Sequence, residues 1–290
     1  MHHENDNSAL NSAHVQRRFD RAADSFDTVD FVHSTTRDGL IARLEPMAIE
    51  ANMIIDLGSA TGSGTRLLAR RFRRARIVAV DLSHNMLAAA RKKQSLFSRV
   101  SVAQANAEAL PFSDQSVDVV FANLLLPWIS HPAQTFAEVA RVLRKDGLFL
   151  FATLGPDSLA EIRRAWSSID SGQHVNRFLD MHDIGDAAVR AGLRDPVLDV
   201  DYLAVTYRNT DALFQDLTAT GARNCLQHRE RSLGAAARFK AMTDALDGAR
   251  QDDLLTLGLE LVYGHCWGGG QRLANGEYRV AASGIGKRSG

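Results

Sequence analysis

The sequence predicts an α/β fold, a mostly parallel sheet with helices on both faces. Three observations carry that expectation. Between residues 52 and 153, apolar runs of strand length alternate with helix-length segments, the rhythm of parallel strands joined by crossover helices. The first of these runs ends in "DLGSATGSG", an acid followed by glycines at 58, 62 and 64, at the mouth of a helical segment. Finally, 290 residues at 45% hydrophobic and 23% charged suffice for one large core.

Taken in order, residues 12–26 place Val15, Phe19, Ala22, Ala23 and Phe26 at helical spacing, with Ser12 positioned as the cap. A second helix over 34–45 stops near Pro46. Strands follow at 52–57, 76–81, 99–104, 117–122 and 147–153, with helices at 62–73, 83–93 and 131–143 between them. A helix over 157–170 puts Leu159, Ile162, Trp166 and Ile169 on one face. The segment "SGQHVNRFLD", 171–180, reads as a loop, and the next helix runs from 181 to a C-capping Gly192. Strands near 196–206 and 256–265 bracket two more helical segments, and "GGG" at 268–270 leads to a tail. The expected organisation is one domain over 1–290: a helical cap at 8–45, a ligand-binding core at 52–154, a cap insertion at 155–182, the rest of the sheet with a helical insertion at 183–267, and a tail at 268–290.

Composition narrows the function. Lysine plus arginine equals aspartate plus glutamate at 34 each, so no global charge favours nucleic acid or an anionic membrane. No apolar run reaches the roughly 18 residues of a membrane span, and the polar, acidic N-terminus lacks the pattern of a signal peptide. Cys225 and Cys266 give neither a disulfide framework nor a metal spacing, so a reducing cytoplasm is expected. The ten histidines include no His-x-x-x-His or His-Glu-x-x-His pair, so no metal is expected either. For His2, His3, His174, His182 and His265 a structural or surface role is expected.

Glycines before a helix allow a close backbone approach and expose free N–H groups. No lysine follows these, which removes a P-loop. The spacing of Gly58, Gly62 and Gly64 fits short-chain dehydrogenases, but none of the four tyrosines has a lysine four residues on. S-adenosylmethionine suits the flanking residues better. Asp56, at the end of the first strand, would repel a pyrophosphate and attract the methionine amine. Asp81 ends the second strand, where a carboxylate can accept from both ribose hydroxyls. Asn106 follows the third strand, where it can face adenine, and "FANLLLPW" follows the fourth, next to the sulfonium. All lie at the carboxyl ends of parallel strands.

The stretches "DLGSATGSG", "VDLSHNML", "NAEALPF" and "ARVLRKDGLFLFAT" together resemble class I S-adenosylmethionine-dependent methyltransferases. The resemblance implies a Rossmann-like, seven-stranded, mostly parallel sheet with a helical cap. It also implies a cofactor set of Asp56, Gly58, Ser59, Ala60, Gly62, Asp81, Leu82, Met86, Asn106, Ala107, Glu108 and Asn123. Ala60 stands where the family has a third glycine, and its methyl is expected to crowd the cofactor side of the loop.

The rest of the chain is more specific. "RRFDRAADSFD", "LGPDSLAEIRRAW", "HVNRFLDMHDIGDAAVRAGLRDPVLDVD", "LTATGARN" and "ELVYGHCW" resemble the malonyl-acyl-carrier-protein O-methyltransferases of biotin synthesis, over about 17–267. Several also resemble the complex I assembly methyltransferase-like proteins. The first resemblance implies transfer of a methyl group to the free malonyl carboxylate, with S-adenosylhomocysteine as product. An ionised carboxylate needs no general base, so no catalytic residue is expected. Three other readings stand beside it: methylation of another small carboxylate, protein-arginine hydroxylation, or a non-catalytic assembly role.

Candidate carboxylate-holding residues are Arg177, then Arg223 and Arg17. Phe26 stands where the family has tyrosine and joins them as a substrate-side residue. The partner implied is malonyl-acyl carrier protein, with malonyl-coenzyme A as a second acceptor to weigh. Carrier proteins are acidic, so a basic face is expected to receive one. Arg163, Arg164, Arg229, Arg231, Arg238 and Lys240 are the candidates. The cluster "ARRFRRAR", 69–76, is expected on the far side of the sheet.

Overall fold

The computed structural model describes residues 10–95, 98–223, 225 and 234–270. Its centre is a seven-stranded sheet of order β3-β2-β1-β4-β5-β7-β6. The strands are β1 (Met53–Leu57), β2 (Arg76–Asp81), β3 (Val100–Gln104), β4 (Val117–Asn123), β5 (Leu143–Leu154), β6 (Leu193–Tyr207) and β7 (Leu255–Gly268). The pairings among β1 to β5 are parallel. β7 slots antiparallel between β5 and β6. The strand order reverses at β1, which has β2 on one side and β4 on the other. Open α/β sheets bind ligands at such a switch point, beyond the carboxyl strand ends.

The side-chain period of two sorts the core into two layers. Ile54, Val119, Phe121, Leu148 and Leu150 meet Leu40 and Leu44 of α2 (Phe31–Leu44) and Leu68 of α3 (Ser63–Arg71). Ile55, Leu57, Val120, Phe149 and Phe151 meet Phe136 and Val139 of α5 (Pro132–Val142) and Ile184 and Ala188 of α7 (Met181–Ala191). Both faces being covered, the central strands read as apolar runs rather than as an alternation.

Two smaller clusters build the roof. Ala22 and Ala23, at the end of α1 (Ser12–Ala22), pack with Phe26 and with Met86 of α4 (His84–Lys92). Asp20 of α1 accepts from Ser83 Oγ (2.6 Å) and the Asn85 backbone N–H (3.1 Å), pinning the cap to the start of α4. On the other side α6 (Ala160–Ser167), α8 (Thr210–Ala219) and α9 (Ala235–Gly248) bury Ile162, Leu213, Met242 and Leu246 against Leu255 and Leu257 of β7.

The element boundaries depart from expectation at both ends of α1, at the starts of α2 and α6, and along β5, β6 and β7. Asn11, not Ser12, caps α1, its side chain accepting from the His14 N–H at 3.0 Å. α1 stops at Ala22, and a short 3-10 turn carries Phe26. α2 begins at Phe31, three residues early, which brings His33 into its first turn. α6 begins only at Ala160, because the Leu159 N–H is taken by the Gly258 carbonyl at 2.8 Å. β5, β6 and β7 are longer than expected, since each finds a long partner strand. Among the described residues no helix is long and apolar enough to cross a membrane.

Candidate active site

Four loops leave the carboxyl ends of β1 to β4 and enclose a narrow cleft of about 80 Å³, roofed by α1 and Phe26. The glycine turn forms its floor. Gly58 has φ 74°, and a Cβ there would lie 3.0 Å from Leu125 Cδ1, so any other residue would be strained and would have to push Leu125 aside. Its N–H and that of Ser59 donate to the Val80 carbonyl at 2.8 and 3.0 Å, locking the turn to β2. Ala60 adopts φ 45°, the left-handed conformation that a glycine would take without strain. Its methyl packs against the apolar cap cluster while the residue still lines the cleft. The expected crowding is thus shared between cap and cleft.

The Asp81 carboxylate is held by two backbone donors, Ala60 N–H on Oδ2 (2.9 Å) and Ser83 N–H on Oδ1 (2.8 Å). Burial pushes its pKa up to about 6, against those hydrogen bonds, which lower it. Leu82, Asn106, Ala107, Glu108 and Asn123 also line the cleft, as the sequence suggests. Asn106 Oδ1 closes its own turn by accepting from the Glu108 N–H at 3.0 Å, which leaves its amide N–H groups to face a ligand. Glu108 turns to the His131 backbone N–H at 2.9 Å.

Four expected cofactor residues lie behind the wall instead. Asp56 is buried and accepts from Thr65 Oγ1 at 2.5 Å; burial pushes its pKa up to about 6, opposed by that bond. It braces the first turn of α3 and does not face the cleft. Met86 is fully buried under Phe26. Gly62 caps α3 at φ 79°. Ser59 is buried, and its Oγ has no partner within the protein, nor has Asn123 Oδ1. Of the two, Asn123 lines the cleft, and its orphaned acceptor on the same wall as the Asp81 carboxylate fits a ligand with hydroxyl and amine groups.

A second, larger cavity of about 1020 Å³ opens beside the first. Its walls are largely apolar, from Leu154, Ile162, Leu213, Leu257 and Leu259, with Arg18, Asp170, His174, Arg223 and Arg238 among them. The two cavities share three residues, His33, Leu124 and Trp128.

This arrangement sorts the expected substrate residues. Arg223 lines the large cavity, its guanidinium 4.8 Å from the Phe214 ring and 5.5 Å from Phe239. Phe26 lines the cofactor cleft, 4.8 Å from the His33 ring. Arg17 is a correction: it is exposed, donates to the Ala13 carbonyl, and lines neither cavity. Its neighbour Arg18 lines the large one, because α1 buries Val15 and Ala22 and turns position 17 outward. Arg177 is a second correction: it is exposed and lines, with Arg163, a separate pocket of about 530 Å³ that adjoins the large cavity along residues 170–176, not the large cavity itself. Its neighbour Asn176 reaches the large cavity and donates from Nδ2 to the Pro127 carbonyl at 3.1 Å, with Oδ1 unpartnered.

Of the histidines singled out in the sequence, His174 stacks on Trp166 at 3.6 Å and meets Asp170 Oδ1 at 2.7 Å, and His182 meets Asp180. His33 is a site residue that the sequence expectations do not include. It belongs to the face 33, 36, 40, 44, whose other members are buried.

The candidate docking residues scatter. Arg163 donates to the Pro156 carbonyl. Arg164 is exposed and sits 3.4 Å from Glu161. Arg238 approaches Asp170 at 3.9 Å, and Lys240 pairs with Asp244. Arg229 and Arg231 lie outside the described residues. Arg70, Arg71, Arg73, Arg74 and Arg76 are exposed at and beyond the C-terminal end of α3, away from the cleft, as expected. Among the described residues no cluster of three His, Cys, Asp or Glu side chains could hold a metal.

A family profile described as a methyltransferase domain matches residues 55–151. The YcgJ protein of Bacillus subtilis shares the architecture with a TM-score of 0.58 at 17% identity, covering 79% of this chain and 97% of that one. So does phosphoethanolamine N-methyltransferase 2 of Haemonchus contortus, solved with phosphomonomethylethanolamine and S-adenosylhomocysteine, with a TM-score of 0.53 at 19% identity over 87% of this chain and 58% of that one. Sheet order, cleft and profile together define a class I S-adenosylmethionine-dependent methyltransferase.

The whole-chain relatives are more particular. The chain is 41% identical over 261 residues to the malonyl-[acyl-carrier protein] O-methyltransferase of Laribacter hongkongensis, covering 87% of this chain and 88% of that protein. It is 38% identical over 280 residues to the protein of the same name from Halorhodospira halophila, covering 94% and 95%. It belongs to the malonyl-[acyl-carrier protein] O-methyltransferase family.

Proposed function

We propose that the chain methylates the free carboxylate of malonyl-acyl carrier protein, giving the methyl ester from which pimeloyl and then biotin synthesis proceeds. The observation that carries this reading is the pair of joined cavities. One is a cleft at the sheet's switch point with a buried carboxylate, Asp81. The other is a large apolar chamber that meets it only at His33, Leu124 and Trp128.

Bound S-adenosylmethionine supplies a methyl group on a sulfonium, and a carboxylate acceptor is already ionised at neutral pH. The residues therefore bind, orient and keep water out. Asp81 accepts from the ribose hydroxyls. Asn123 Oδ1 is the unpartnered polar atom on the cleft wall left for the nucleoside and methionine portions. Leu82, Ala107 and Leu125 supply apolar surface. Phe26 and α1 close the roof, pinned by Asp20 to the start of α4. Transfer converts a cation and an anion into two neutral products, so a chamber walled by leucine, phenylalanine and tryptophan favours it. Alignment of the acceptor is the main requirement.

The chamber is far larger than a malonyl group, which supports a thioester carried on a long arm. Carrier protein is the preferred acceptor, and malonyl-coenzyme A, which presents a similar arm, is the weaker one. The discriminating experiment follows label from methyl-labelled S-adenosylmethionine into malonyl- and acetyl-carrier protein and malonyl-coenzyme A. Label in the malonyl carrier but not the acetyl carrier is expected. Equal label in both carriers would refute carboxyl transfer.

A further inference from the structure

The neck between the two cavities contains two side chains able to hold a carboxylate without a charge of their own, Trp128 and His33. Of the three residues on both walls, Leu124 is apolar and Trp128 carries one indole N–H. His33 is the third, and its position is fixed three ways. The His33 carbonyl accepts from Asn123 Nδ2 at 2.9 Å, tying the first turn of α2 to the end of β4. The Phe26 ring lies 4.8 Å away, tilted by 59°, and sets the imidazole plane. Thr36, one turn on, is fully buried together with Leu40 and Leu44, which keeps this face of α2 turned inward.

We infer that His33 donates a ring N–H to the malonyl carboxylate and holds it in line for methyl transfer, an assignment that rests on the carboxyl-methylation reading above. One carboxylate oxygen accepts the hydrogen bond while the other forms the new C–O bond. The C–S bond breaks, and its electron pair stays on sulfur. No proton moves, so His33 is a substrate-positioning residue and not a base.

The chemistry favours a neutral donor at this point. An arginine paired bidentately with the carboxylate would stabilise the nucleophile in the ground state. After transfer, the ester is neutral and the arginine would be left as a buried, uncompensated cation. Burial pushes the His33 pKa down to about 4, so the ring is uncharged at physiological pH. Its hydrogen bond to an ionised acceptor is still stronger than a neutral pair. Arg18, Arg223 and Arg238 line the chamber but are not among the residues shared with the cofactor cleft. They lie on the chamber side, away from the neck.

The test compares His33→Leu and His33→Gln with the parent enzyme, using malonyl-carrier protein as acceptor and calorimetric S-adenosylmethionine affinity as the control for folding. His33→Leu is expected to lose roughly 10- to 100-fold in kcat/KM, the scale of one hydrogen bond to a charged group. Its cofactor affinity stays within about twofold. His33→Gln keeps a neutral donor and should recover most of the loss. Product inhibition by the methyl-ester carrier should be unchanged in both, since the ester has no carboxylate to hold. If His33→Leu loses the cofactor through misfolding, His33→Met takes its place. Full activity in the apolar variant, or a His33→Gln loss as deep as the apolar one, would overturn the assignment alone. A parent enzyme that binds cofactor and transfers nothing to malonyl-carrier protein would overturn both the assignment and the reading on which it rests.

Discussion

Cofactor affinity should depend on pH through Asp81. Its carboxylate lines the cleft with a pKa pushed up to about 6 by burial, from an ordinary value of 3.8. Ribose hydroxyls donate, so the ionised form binds and the protonated form binds poorly. Lowering the pH from 7.5 to 5 leaves about one carboxylate in eleven ionised, and the affinity should fall about tenfold. The sign for folding is opposite. Between pH 3.8 and 6 the folded apoprotein holds a proton that the unfolded chain has lost, so Asp81 makes the apoprotein less stable as pH rises through that window. Titration calorimetry at half-unit steps, on the parent and on Asp81→Asn, separates these effects. Asp81→Asn should bind weakly at every pH with a flat profile. Asp56 also titrates near 6, but its carboxylate faces Thr65 and not the cleft. A flat parental profile, or the parental slope surviving in Asp81→Asn, would refute the reasoning.

Three further outcomes follow from the structure. Ala60→Gly removes a left-handed strain of about 1–2 kcal/mol and returns about 0.4–1 kcal/mol to the unfolded chain's entropy, so the thermal midpoint should rise slightly; a fall of several degrees would mean that the methyl contact with the cap outweighs the strain. Thr65→Val strips a donor from buried Asp56 and should cost about 1–3 kcal/mol at pH 7.5. The folded pKa of Asp56 lies above the unfolded one, so the cost belongs to the ionised form and should shrink at pH 5; urea midpoints that differ equally at both pH values would contradict this. Arg164→Glu, at an exposed position on α6, should raise KM for the carrier several-fold and leave cofactor affinity unchanged; an unchanged KM would remove α6 from the docking face.

Much of the fold was legible because buried parallel strands announce themselves as apolar runs. Ile54 and Ile55 go to opposite faces, yet both are apolar, so β1 stands out on either side. The cleft residues contributed by strand ends were legible for the same reason: Gly58, Asp81 and Asn123 follow their strands at fixed offsets. What the sequence could not supply was direction within a helix or loop. Arg17 and Arg18 differ by one residue and about a third of a helical turn, and only one lines a cavity. Asn176 and Arg177 differ likewise in a loop with no period to read. Asp56 has the chemistry for a methionine amine, but Thr65, nine residues on, captures it. His33 is not legible because the helix signal begins only at 34, and residue 33 joins the face of Thr36, Leu40 and Leu44 only once α2 starts at Phe31.

The central claim is methylation of the malonyl carboxylate, and intact-mass spectrometry of malonyl-acyl carrier protein tests it most directly. After incubation with the enzyme and S-adenosylmethionine, the carrier should gain the mass of one methyl group and lose it on gentle ester hydrolysis. No gain, with cofactor binding intact in a parallel titration, would keep the methyltransferase fold and contradict the assigned acceptor.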